Sequence, residues 1–250
     1  MSLDWDLFCR STTGAERLAT CFGNGGELTY LQWLISAWGW TATVAVLGFA
    51  VALIMGVIVG TLRTLSGRPV LSALAAAWVE IFRNVPLLVQ VFLWYHVVPL
   101  FWPALKSVPS WLLVSLALGL FTSARIAEQV RAGIQSLPQG QRAAALALGM
   151  SEAQAYRLVI LPVAGRLMIP ALTSEAMSIV KNSSVAFAVG VAELTQFAMQ
   201  AQEETARGIE IYLVVTLLYA LTAFAVNRVL AWVEAHVYVP GIGTVKRQEV

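Results

Sequence analysis

The sequence predicts an all-α integral membrane protein with about five transmembrane helices. Composition is the first ground: 58% of the 250 residues are hydrophobic and 12% are charged, against roughly 25% charged in a soluble domain. Mean hydropathy is the second, at +0.74. The third is a series of apolar runs that reach the length of about 20 residues that a spanning helix needs. A formal net charge of +2 is too small to select nucleic acid as a partner.

In chain order, residues 1–27 form an N-terminal segment. Its start, "MSLDWDLFCRSTTGAERLAT", lacks the basic end and apolar stretch of a signal peptide. A membrane domain, 28–238, follows. No charge appears from Leu28 to Leu62. That run gives the first span and a lead-in, "TYLQWLISAWGW", whose aromatic residues suit a membrane surface. "RTLSGRPV" ends it. A second span, Leu71 to Val98, is interrupted by "RNVP". "PLFWPALKSVPS", with three Pro, is a turn region. A third span runs from Trp111 to Val130. A charged helical hairpin occupies 136–162. A fourth span, Leu167 to Val191, contains Glu175 and Lys181, and the polar loop "AELTQFAMQAQEETARGIE" separates it from a fifth, Ile211 to Trp232. Residues 239–250 form a C-terminal tail. No internal repeat divides the chain, so it reads as one membrane domain.

Arg and Lys placement orients the spans. With the N-terminus outside and the C-terminus inside, eight basic residues face inward: Arg63, Arg68, Arg131, Arg142, Arg157, Arg166, Lys246 and Arg247. Four face outward: Arg10, Arg17, Lys106 and Arg207. The hairpin then lies on the cytoplasmic side. Cys9 and Cys21, the two cysteines, lie outside. An oxidising compartment lets them pair; the alternative is two free thiols in a mobile leader.

The hairpin reads "SLPQGQRAAALALGMSEAQAYRLVILP". Ser136 is placed to cap its first helix, with Pro138 in the first turn and Gln139 three residues on. Gly149 suits the left-handed position that ends a helix. Ser151 and Gln154 repeat the capping pattern for a second helix, and Pro162 disfavours helix at Leu161. The alanines of the first helix leave room for another backbone. Such a unit fits a groove on a soluble partner. It also suits an amphipathic loop on the lipid surface, or a DNA-binding helix-turn-helix. The last is disfavoured by the flanking spans and by a first helix with a single Arg.

This hairpin resembles the cytoplasmic coupling motif of ABC-importer permeases: Glu-Ala-Ala, three residues, Gly, a spacer, an apolar residue and Leu-Pro. Ala144, Ala145, Gly149, Leu161 and Pro162 match. The Glu position is Ala143, a departure that removes any salt bridge the Glu would make. "EIFRNVPLLVQVFLWY", "FTSARIAEQVRAGIQSLPQGQ" and "IVKNSSVAFAVGVAELTQ" resemble the polar amino-acid subfamily. "FRNVPLLVQ" and "TSEAMSIVKNSS" are most similar to the glutamate/aspartate importer group. The resemblance covers nearly the whole chain beyond the leader and implies a type I importer architecture in a bacterial inner membrane. It further implies a second, non-identical permease subunit, two copies of a cytoplasmic ATP-binding subunit that holds ATP and Mg, and a periplasmic amino-acid-binding protein. ATP binding would close the ATPase pair, and the hairpin would carry that motion into the spans, alternating access to the cavity.

The residues themselves suggest no chemistry on this chain and no cofactor of its own. None of the three lysines, Lys106, Lys181 and Lys246, follows a Gly, so no Walker-type phosphate loop is present. ATP hydrolysis is therefore expected on a separate chain. His96 and His236 form no metal-ligand spacing, and no G-x-S-x-G site occurs. The competing readings are a secondary transporter or channel acting without an ATPase, which often shows inverted repeats, and a membrane scaffold.

Charges within the spans complete the reading. Each costs about 2.5–3.5 kcal/mol at mid-membrane on insertion scales, so each is expected to pair or to line a polar cavity. Glu80 and Arg83 are three apart and can share a helix face, and Arg125, Glu128 and Arg131 repeat that spacing. Salt bridges near the inner helix ends account for these sets. Glu175 and Lys181 lie six residues apart, about 120° round a helix that turns roughly 100° per residue, so each needs a partner elsewhere. An amino-acid ammonium at Glu175, with a carboxylate at Lys181 or Arg83, is one reading of a substrate pathway. Snorkelling of Lys181, or bridges to a partner subunit, is the other. Asn182, Ser183, Ser184 and Gly190 suit close helix approach at a permease–permease interface.

Overall fold

The structure is a computed structural model that describes residues 3–13, 21–22, 27–65 and 67–237. The tail beyond 237, with Lys246 and Arg247, and Arg17 of the leader lie outside the described residues. Among those described, no strand forms, and the one β contact is an isolated antiparallel bridge between Ser11 and Thr29. The helices are α1 (Tyr30–Leu62), α2 (Pro69–Asn84), α3 (Leu87–Phe101), α4 (Ser110–Gln135), α5 (Gln139–Ala147), α6 (Glu152–Val189), α7 (Leu194–Thr205) and α8 (Gly208–Val237). Short 3-10 turns at Trp5–Cys9 and Pro103–Ser107 complete the set.

α1, α4, α6 and α8 are each long and apolar enough to cross a membrane. The second span expected from the sequence is not a single helix. α2 and α3 meet at a bend of 105°, where "RNVP" interrupts the expected span. The cause is local: Pro86 excludes helix at the preceding residue, and Val85 is extended at φ −88°, ψ 130°.

The helices pack as two units. One comprises residues 1–48, 86–118 and 179–224. In it Leu7 and Phe8 of the leader are buried with Tyr30, Phe197 and Ile211. Cys9 and Cys21 are joined in a disulfide. Asp4 pairs with Arg10 at 2.6 Å, and its backbone N–H donates to Glu210 at 3.0 Å. The start of α7 is closed by a buried cap. Glu193 accepts from the N–H groups of Thr195 (2.9 Å) and Gln196 (3.0 Å) and from the Tyr219 hydroxyl (2.7 Å). These bonds answer donors that a helix N-terminus leaves orphaned.

The other unit comprises residues 49–85, 119–178 and 225–250 and is built round α4. Gly56 and Gly60 stand four apart on α1 and let its backbone lie against α4. A Cβ at Gly60 would meet the Ala127 carbonyl oxygen at 2.6 Å, and one at Gly56 would meet Ile126 at 2.5 Å. This small-xxx-small contact is a common way for helices to associate in lipid. α2 adds Ala75 and Val79 against Ala124 and Ala127, and the Trp78 indole N–H donates to Ser123 at 3.2 Å. α6 approaches at Gly133, where a Cβ would lie 2.7 Å from Met168.

Gly60→Ala should therefore destabilise the detergent-purified protein by about 1–3 kcal/mol, the usual overpacking penalty, read as a lowered melting temperature. Gly39→Ala, where a Cβ meets nothing within 4 Å, should leave it unchanged or raise it.

Candidate functional site

The hairpin is present and its turn is built as the sequence requires. α5 ends with Leu148 N–H donating to Ala144 and Met150 N–H to Ala145. Gly149 takes φ +81°, a conformation that costs an L-residue roughly 1–2 kcal/mol. Ser151 and Gln154 form a complete capping box: the serine side chain accepts from the Gln154 N–H, and the Gln154 side chain accepts from the Ser151 N–H. Ala145 is buried, Ala144 and Pro162 are exposed and Leu161 is half-buried. Leu148, beside the turn, is 80% exposed.

Two expectations for the hairpin are corrected. Ser136 caps nothing, because its hydroxyl donates back to Gly133 at 2.8 Å and the residue preceding α5 is Pro138. Nor does the second helix stop at Leu161-Pro162. It runs on into the fourth span as α6, through a π turn at Tyr156–Ile160. Proline within an α-helix lacks an N–H and clashes with the carbonyl four residues back. A single wide turn just before Pro162 opens that spacing. The helix that carries the fourth span accordingly starts at Glu152.

Side chains then fix the hairpin. Arg142 on α5 pairs with Glu152 on α6. The Tyr156 hydroxyl donates to the Thr64 carbonyl at 2.9 Å, which ties α6 to the loop after α1. Arg63 in that loop pairs with Glu128, and Arg131 Nε donates to the same carboxylate at 2.9 Å. A cleft of about 830 Å³ lies beneath, with Arg63, Gln135, Arg142, Ala143 and Tyr156 in its wall. Ala143 stands there where the motif has Glu.

The charges inside the spans are arranged differently from their spacing in sequence. Glu128 does pair with Arg131, but Arg125 turns away from both, to α6. Its Nε donates to Glu175 Oε1 at 3.1 Å and lies 2.9 Å from Oε2. Gln129 Nε2 donates to Oε1 at 3.0 Å. Glu175 thus has its partner on another helix, and its side chain is 6% exposed while that of Arg125 is 45% exposed. Glu80 accepts from Asn84 at 2.8 Å. Arg83 and Lys181 are exposed and have no ion-pair partner among the described residues. Ser183 and Ser184 donate back to Val180 and Lys181 within α6.

Arg125 and Gln129 are site residues that the sequence reading misses. The available signal was that Thr122, Arg125 and Gln129 stand at i, i+3 and i+7, one polar stripe on an apolar helix. Arg63 was counted for orientation, yet nothing in its spacing pointed to Glu128. Among the described residues no group of three His, Cys, Asp or Glu side chains converges as a metal site would need.

If the turn is the ordered element, Gly149→Val should loosen it. The check is limited trypsin digestion: cleavage at Arg142 and Arg157 should become faster than in the unaltered protein, with helix content of the spans unchanged by circular dichroism.

Residues 52–238 match the family described as binding-protein-dependent transport system inner membrane component. The chain is 40% identical over 253 aligned positions to the glutamate/aspartate import permease protein GltJ of Escherichia coli (strain K12), covering 96% of this chain and 98% of that protein. It is 32% identical to the glutamine transport system permease protein GlnP of the same strain over 78% of this chain and 88% of GlnP. A solved amino acid ABC transporter with histidines matches with a TM-score of 0.71 at 31% identity, over 83% of this chain and 95% of that one. An inward-facing MetNI methionine ABC transporter shares the fold at a TM-score of 0.72 and 20% identity, over 83% and 97% of the two chains.

Proposed function

The chain belongs to the binding-protein-dependent transport system inner membrane components, and from that premise we propose that it is a permease subunit of an ATP-driven importer of glutamate and aspartate. The 40% identity to GltJ over almost the full length of both chains carries the choice of cargo. As a family member the chain is a transport subunit, working with an ATP-binding partner and a binding protein.

The finer assignments are part of the same proposal. A second, non-identical permease completes the pathway, and "KNSSVAFAVG" lies at their interface. Two ATP-binding subunits, which hold ATP and Mg, seat at the hairpins. In this chain Ala144, Ala145, Gly149, Leu161 and Pro162 form the coupling unit. The exposed Leu148 beside Gly149 supports this, because an apolar side chain presented at a turn is suited to a groove on a soluble partner. The N-terminus is outside and the C-terminus inside, supported by the basic-residue count and by the Cys9–Cys21 disulfide, which an oxidising compartment sustains. Glu175 receives the substrate ammonium, and Arg83 and Lys181 are carboxylate contacts on the pathway.

The test is purification of the tagged chain from native membranes, with mass spectrometry of what stays bound. An ATP-binding subunit and a second permease are expected. Recovery of this chain alone, in detergent that preserves known membrane assemblies, would overturn the reading and favour a transporter without an ATPase. Leu148→Glu should reduce recovery of the ATP-binding subunit and labelled-glutamate uptake by about tenfold or more, the scale of losing one apolar anchor at an interface.

A further inference from the structure

We infer that Arg125 is the specificity-determining residue that receives the side-chain carboxylate of an acidic amino acid, while Glu175 and Gln129 together receive its ammonium. This deepens the proposed function and rests on that reading.

Unmet hydrogen bonds carry the argument. Gln129 Oε1 and Glu175 Oε2 are both buried; the first receives no hydrogen bond, and the second has Arg125 Nε at 2.9 Å as an ion-pair contact without hydrogen-bond geometry. They belong to neighbouring groups, since Gln129 Nε2 already donates to Glu175 Oε1 at 3.0 Å. Turning the Gln129 amide over would set its oxygen against a carboxylate oxygen, so the orphaned acceptor is fixed by its surroundings. A buried acceptor without a donor costs about 1–3 kcal/mol, more for a charged group. Two such acceptors side by side, one anionic, match a ligand rich in N–H donors and positively charged. An alkylammonium, with three N–H groups, is that ligand.

The second half of the site is Arg125. It is held to Glu175 through Nε alone. Its two terminal nitrogens have no partner among the described residues, and the side chain is 45% exposed. The residue lies within the α4 span, Ser110–Gln135, with about 15 Å of helix or more on either side at 1.5 Å per residue. A guanidinium open at that depth must face a polar cavity, another charge or a ligand. Its free edge is a planar fork matched to a carboxylate.

Geometry decides which carboxylate. Because Arg125 keeps Nε on Glu175, its open fork is one guanidinium removed from the orphaned acceptors. An α-carboxylate shares a carbon with the ammonium and stays beside it. The side-chain carboxylate of aspartate or glutamate stands one or two bonds further out and reaches the fork. Ammonium on carboxylate and carboxylate on guanidinium then answer both charges of the pair without breaking it.

The experiment uses the purified complex with its ATP-binding subunit, without binding protein, so that binding reports on the membrane site alone. Labelled glutamate is bound at equilibrium and competed with unlabelled glutamate, aspartate and glutamine. The unaltered complex should prefer the acidic ligands. Arg125→Gln should weaken glutamate by at least about tenfold and abolish the preference over glutamine, as loss of a charge-assisted partner requires. Arg125→Lys should recover part of it. Arg125→Gln with Glu175→Gln removes both charges, so no buried ion is left alone, and assembly is read by size-exclusion elution. That assembled double variant should still fail to bind glutamate. Recovered binding in the double variant would make the pair purely structural and overturn the inference. So would equal weakening of glutamate and glutamine in Arg125→Gln, which would place the α-carboxylate on Arg125. A failure of the underlying reading shows earlier: the unaltered chain would recover no ATP-binding subunit.

Discussion

The packing of the second unit depends on what α4 must do in lipid. One helix carries Arg125, Glu128 and Arg131 through a medium in which an isolated charge costs several kcal/mol. Two of its neighbours, α6 and the loop after α1, answer that demand. α1 comes close because Gly56 and Gly60 remove the side chains that would hold it away, and the loop that follows then delivers Arg63 to Glu128. α6 comes close at Gly133 and Met168 and further along supplies Glu175 to Arg125. Small residues set the helix distances, and those distances bring the charges within reach of each other.

Much of this was legible in the sequence. Span number and order follow from apolar length and from Pro and Arg punctuation, because a backbone in lipid has few ways to satisfy its own polar groups. The capping box at Ser151 and the left-handed Gly149 were legible because both are local: three or four residues fix the geometry. The misreadings were also local signals, overruled by context. Pro162 reads as a stop, yet one π turn absorbs it. Ser136 reads as a cap, yet its hydroxyl finds a carbonyl behind it. What the sequence could not show was pairing across helices. The spacing of Arg125 and Glu128 suggested an i, i+3 bridge, but Arg63 and Arg131 satisfy Glu128 and leave Arg125 to α6. Choosing among such partners requires the distances between helices, and these depend on where each glycine falls against its neighbour.

The leader shows the same limit from another side. Residues 1–27 carry no apolar run, so nothing in their pattern predicted a fixed place. The structure seats Leu7 and Phe8 in the core with Phe197 and Ile211, and the disulfide and the Asp4–Arg10 pair hold the segment around them. Two apolar side chains are too few to register as a pattern, but they are enough to anchor a short segment that is also cross-linked.

Continuity of α6 joins the two halves of the functional reading. Glu152 begins the helix at the hairpin and Glu175 lies on the same helix, about 35 Å along it at 1.5 Å per residue, with no loop between. The hairpin is itself held by Arg142–Glu152 and by Tyr156 on Thr64, so a partner that displaces it moves the start of α6 as a body. Two places can take up part of that motion. One is the π turn at Tyr156–Ile160, where the wider hydrogen-bond ring already departs from the α pattern. The other is Pro170, inside the helix, where one backbone hydrogen bond is missing. The remainder arrives at Glu175, whose bonds to Arg125 and Gln129 on α4 are short enough that a shift of an ångström breaks them. A displacement of the hairpin would in this way reach the Arg125–Glu175 ion pair, and a ligand held by that pair would respond to the same displacement.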